Sequence, residues 1–118
     1  MNFYWYGGSG NWSDYTNHWS YNSGNSPSSP AAEVPSSTNN VVFDANSGTG
    51  TVTISATANC KNIGFTGSSI NTAGTSTLNY YGNFTAKLGM TWGHTGTLTG
   101  KATDLEHTFT TNSVSIII

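Results

Sequence analysis

Ile63, Phe84 and Leu105 stand about 21 residues apart, Leu78 and Leu98 about 20, and Leu88 and Phe109 about 21, separated by runs of Gly, Asn, Ser and Thr. Intervals of this size mark stacked units, each a turn of chain laid upon the last. No segment carries a 3.6-residue apolar period, so the units are built from strands. Thr51-Val52-Thr53-Ile54-Ser55 alternates polar and apolar residues as a half-buried strand does. The expected fold is all-β, a short parallel β-helix (β-solenoid), with Val52, Ile54, Ile63, Phe65, Leu78, Phe84, Leu88 and Leu105 pointing inward. Many short strands with turn signals every roughly 8 to 12 residues also suit a β-sandwich or jelly roll, and that alternative stays open.

A narrow core accounts for the composition. Hydrophobic residues make up 35% of the 118 and charged residues only 7%, while about half of the chain is Ser, Thr, Asn and Gly. Disordered chains combine low hydrophobicity with high net charge and few rings, whereas this one has 13% aromatics and a formal charge of -2. Thr and Asn ladders along the outside replace charge as the means of ordering the surface. Three lysines and no arginine cannot supply the phosphate contacts on which nucleic-acid affinity depends, so DNA and RNA are excluded as direct ligands. Cys60 has no second thiol to pair with and reads as a small buried apolar residue. No apolar run reaches membrane-spanning length, so no membrane insertion is expected. Met1-Asn2-Phe3-Tyr4-Trp5 has neither the basic segment nor the apolar run of an export signal. A chain with an extracellular composition and no such signal suits a particle assembled in a host cytoplasm and released by lysis.

The first 50 residues have a different texture. Trp5, Trp12 and Trp19 lie among Gly7, Gly8, Gly10, Asn11 and Ser13, a mixture that favours tight turns and short strands. Asn22 to Asn40 is a Ser/Asn loop in which Pro27, Pro30 and Pro35 block regular pairing. Val41-Val42-Phe43-Asp44 reads as a short strand, and Asp44 before Asn46-Ser47-Gly48 as the organiser of a turn. One structural domain is expected, with residues 1–50 as an aromatic cap and Pro/Ser loop and residues 51–118 as strand coils.

The segment Trp5-x-Gly-Gly-x-Gly-Asn-Trp-Ser-Asp, followed by Asn17-His-Trp-Ser, Val34-Pro, Asn40-Val-Val-Phe-Asp-Ala-Asn-Ser-Gly and Thr51-Val-Thr-Ile, resembles two related groups. These are the repetitive structural proteins of tailed phages and the passengers of autotransporter-type bacterial adhesins. The resemblance implies an N-terminal cap ahead of a parallel β-helix, and it covers about residues 5 to 54. Autotransporter passengers are longer, follow a signal peptide and end in a membrane barrel, so the resemblance tilts toward phage. It implies a virion structural protein of tail fibre, spike or capsid decoration type, a homo-oligomer or a partner of other virion structural proteins. The alternative is a glycan-binding adhesin or receptor-binding module that touches host surface glycan.

Candidate sites follow from these two functions. Trp5, Trp12 and Trp19 are expected as the structural cap, bulky rings shielding the open end of the stack. Tyr4, Tyr6, Tyr15 and Tyr21 are the candidate contacts for glycan or partner. Val114, Ile116, Ile117 and Ile118 are expected on an apolar closing strand that serves as an assembly edge. Catalysis would have to draw on Asp14, Glu33, Asp44, Asp104, Glu106, His18, His94 and His107, and no spacing among them specifies a dyad or a metal site. Asp104 and Glu106 fall on one face of a strand, with His107 opposite. Gly96 to Thr103 lacks a spacer residue of the phosphate-binding loop and has Ala102 where a metal-holding hydroxyl belongs. Asn11-Trp12-Ser13 and Asn83-Phe84-Thr85 fit the glycosylation pattern, as chance allows in so Asn-rich a chain. No enzyme activity, cofactor or metal is therefore expected.

Overall fold

The structure, a computed structural model, describes residues 1–24, 29–102 and 108–116. It is β-rich, with strands two to five residues long: β1 (Asn2–Trp5), β2 (Gly10–Asn11), β3 (Trp19–Ser20), β4 (Asn40–Val42), β5 (Thr49–Thr53) and β6 (Ala58–Cys60). Then come β7 (Ile63–Gly64), β8 (Ser69–Ala73), β9 (Leu78–Tyr80), β10 (Phe84–Thr85), β11 (Leu98–Gly100) and β12 (Phe109–Thr110). One helical turn, α1 (Tyr15–His18), and a 3-10 turn at Ala45–Ser47 complete the described elements.

Among the described residues three sheets form, in the orders β12-β10-β7-β4-β1-β3, β11-β9-β6 and β2-β5-β8. Strand neighbours are parallel except where β3 runs antiparallel to β1. Like stacks on like: Phe3, Val41, Ile63, Phe84 and Phe109 share one register position of the first sheet, and Ala58, Leu78 and Leu98 one position of the second. Alternation buries all of these side chains but Phe109, which stays partly exposed on the last strand of the sheet. Phe43 stacks on Phe65 at 4.5 Å and Phe84 on Phe109 at 4.8 Å. Val52, Ile54, Ile63, Phe65, Leu78 and Phe84 are all buried, and the core also takes in Phe43, Ile70 and Trp92. Cys60 is fully buried, and desolvation raises its thiol pKa from 9.0 to about 12.

On the outside an asparagine rail runs across the first sheet. Asn40 Nδ2 donates to Asn2 Oδ1 at 3.0 Å and Asn62 Nδ2 to Asn40 Oδ1 at 2.8 Å. The backbone N–H of Asn83 then donates to Asn62 Oδ1, and that of Thr108 to Asn83 Oδ1. Asn79 Nδ2 repeats the pattern on Asn59 in the second sheet. Asp44 organises its turn as expected, accepting from Asn46 N at 2.9 Å while Ser47 Oγ accepts from Asp44 N.

Three expectations are corrected. Leu88 is 70% exposed, because the turn closed by Met90 N donating to Lys87 O puts Leu88 at its tip and leaves inner positions to Ala86 and Trp92. Phe84 pairs onward with Phe109 rather than at the 21-residue interval, so this passage of chain is longer than the two before it, from Val41 to Ile63 and from Ile63 to Phe84; Leu105 lies outside the described residues. The segment 113–116 is not a strand. Asn112 and Ser113 take positive φ, 49° and 66°, and Asn112 Nδ2 donates to Ala86 O, so the chain turns back and Val114 and Ile116 pack partly against the core. Ile117 and Ile118 lie outside the described residues.

Candidate functional site

The β1/β3 end of the first sheet is where Trp5, Trp12 and Trp19 gather. β1 puts Phe3 and Trp5 inward, and β3, antiparallel on its free edge, adds Trp19. Trp5, Trp12 and Trp19 are each at most 3% exposed. Trp19 meets Trp5 edge-on at 5.1 Å and Trp12 at 5.0 Å, favourable geometries for ring quadrupoles. Two of the indoles satisfy their N–H groups, Trp19 on the carbonyl of Trp12 and Trp5 on that of Gly8, both at 2.8 Å. His18, at the end of α1, stacks flat on Trp5 at 4.6 Å. Its Nδ1 is 2.8 Å from the carbonyl of Tyr6, which can only accept, so Nδ1 carries the proton. Gly10 is required beneath that imidazole, since a Cβ there would sit 2.0 Å from His18 Nε2.

The four tyrosines do not form one platform. Tyr21 packs edge-on against Phe3 at 5.3 Å, and its hydroxyl accepts from Ala32 N. Tyr6 donates its hydroxyl to the carbonyl of Thr16, while Tyr15 is exposed on α1. Tyr4 points out of the first sheet, in register with Val42 and, through it, Gly64 and Thr85. There the outer face sinks into a groove of about 340 Å³, with the asparagine rail on one side and the row Val42, Gly64, Thr85 along the floor. Gly64 lies outside the left-handed region, and a Cβ built on it meets nothing within 4 Å. Sequence reasoning missed this groove, although the register of Asn40, Asn62 and Asn83, each one residue ahead of an inward apolar side chain, was a signal for the rail.

The ionisable candidates are dispersed. Asp14 accepts from Asn17 Nδ2 and Thr16 Oγ1, and the Asn17 bond foremost holds its carboxyl below the usual value. Asp44 accepts from Ser23 Oγ besides its turn partner, and Glu33 is exposed on the loop. His94 is fully buried and donates Nε2–H to the carbonyl of Ser76. Asp104, Glu106 and His107 lie outside the described residues. Among the described residues no three of His, Cys, Asp and Glu lie close enough to hold a metal ion, and no helix is long and apolar enough to cross a membrane. No family model, curated protein or solved structure matches the chain.

Proposed function

We propose that the chain is a short parallel β-solenoid closed by an aromatic N-terminal cap, and that it serves as a structural component of a phage virion, in a tail fibre, spike or capsid decoration. It acts by protein–protein assembly and not by catalysis. Parallel pairing at successive rungs of three sheets supports the solenoid over a sandwich, whose hairpins and Greek keys make neighbours antiparallel. Trp5, Trp12 and Trp19 are the structural cap.

The two ends of the stack differ, and that difference carries the function. At one end β3 lies antiparallel over β1, and the bridge from Ser20 to Pro30 continues the closure. At the other, the described strands stop at β12 and β11 with parallel edges, and Phe109 remains 36% exposed. A strand edge of this kind pairs readily with another chain. Val114 and Ile116, folded against the core nearby, and Ile117 and Ile118 beyond them belong to the assembly edge. Sedimentation equilibrium of the purified chain at low micromolar concentration should give the mass of an oligomer, and antibody to the chain should label virus particles in the electron microscope. A well-folded, non-aggregating monomer overturns obligate assembly; particles bearing no label overturn the virion role.

A second reading is a glycan-binding adhesin or receptor-binding module. The partly exposed ring of Tyr4, in register beside Val42 on the outer face of the first sheet, favours it.

A further inference from the structure

We infer that the groove on the outer face of the first sheet binds a neutral, extended β-linked polysaccharide, lying across the strands along the asparagine rail. The inference rests on the glycan-binding reading and gives it a place that the scattered tyrosines do not. Among the described residues none that lines the groove carries a charge, which favours a neutral polymer over an anionic or cationic one. Successive rungs advance by roughly 4.8 Å, close to the advance of one hexopyranose in an extended chain. Asn40, Asn62 and Asn83 therefore present one carboxamide per sugar unit.

The amides are oriented before any ligand arrives. Asn62 Nδ2 donates one hydrogen to Asn40 Oδ1, and Asn62 Oδ1 accepts from Asn83 N, which fixes which way the amide points. A carboxamide has two donors, so the second hydrogen on Nδ2 of Asn40 and Asn62 stays available for a hydroxyl. Fixed donors cost little further ordering when a ligand binds. The floor supplies the other half of sugar recognition: Val42 offers an apolar surface, and the missing side chain at Gly64 lets a ring sit against the sheet. Tyr4 is in register beside Val42, where its ring can cover the apolar face of a terminal sugar.

The test uses the full chain, labelled with nitrogen-15, titrated with cellohexaose, with β-1,4-mannohexaose and with a neutral Ser/Thr-rich dodecapeptide, each to millimolar concentration. At least one hexaose should shift the side-chain amide signals of Asn40, Asn62 and Asn83 and the backbone signal of Gly64. Gly64→Phe, which fills space that is open in the fold, should weaken that binding by about ten-fold or more, equivalent to 1.4 kcal/mol. Thr85→Tyr, filling the other end of the floor, is the second blocking variant should Gly64→Phe not fold. Shifts that map elsewhere, or binding that survives a folded blocking variant, overturn this groove while leaving glycan binding intact. No shift with either hexaose overturns both. A response to the peptide alone overturns the inference and makes the groove a protein contact.

Discussion

At the residue scale, two glycines separate structural from surface roles. Gly10 lies against the imidazole of His18, so Gly10→Ala must push the ring off Trp5 and is expected to lower the melting temperature clearly. Gly64 has room, and Gly64→Thr should be neutral or stabilising, by up to about 1 kcal/mol, since a β-branched residue suits a strand better than glycine. Trp12→Ala and Trp19→Ala should each cost about 3 to 5 kcal/mol in chemical denaturation, the ordinary penalty for emptying a large buried aromatic site. Unchanged stability in both would show that the rings are not structural. Cys60 adds a pH dependence. Its thiol holds its proton to about pH 12 when folded but ionises from about 9.0 when unfolded. Between those values the unfolded chain binds fewer protons, so stability is full below pH 9 and falls by up to about 1.4 kcal/mol per unit above it. Tyr80, whose pKa burial also raises, pulls the same way. Thermal melts across this range should show the decline, and Cys60→Ala should flatten it, leaving the part due to Tyr80.

At the scale of elements, strands of two or three residues cannot hold register by backbone bonding alone. The rail supplies the rest. Asn62 joins β4, β7 and β10 by one donated and one accepted bond, so Asn62→Ala removes two links and leaves the N–H of Asn83 without its partner. A cost of about 1 to 3 kcal/mol is expected by urea denaturation. Asn59→Ala, which loses one longer bond to Asn79, should cost less. Equal effects would mean that the rail adds nothing beyond ordinary surface hydrogen bonding. The fold of 111–116 shows the same economy of means, with one side-chain bond from Asn112 and two residues at positive φ turning an apolar segment onto the core.

At the scale of the whole molecule, the proposed solenoid has each rung touching chiefly the rungs above and below it, so that stability would depend on position in the stack. β5 and β8 share five paired residues, whereas β10 and β12 share two. Hydrogen exchange should therefore be slowest in β5 and β8 and fastest in β12, with protection rising at β12 and β11 on assembly. Uniform protection in the isolated chain would contradict a layered molecule.

Local pattern alone made legible the β-rich class, the burial of Trp5, Trp12 and Trp19 and of six of the eight residues expected inside, and the turn at Asp44. These depend on alternation, ring size and local hydrogen bonding, which act within a few residues. The rest depends on contacts between residues far apart in the chain. Leu88 is apolar and near the expected interval, yet a four-residue turn carries it outside. Phe109 follows Phe84 in the first sheet, because the length of a loop sets the register and no local pattern measures it. The groove exists only because Asn40, Asn62 and Asn83, about 21 residues apart in the chain, come within hydrogen-bonding reach, with glycine beside the middle one. A surface made by stacking belongs to no segment, so it becomes visible only once the rungs are laid in order.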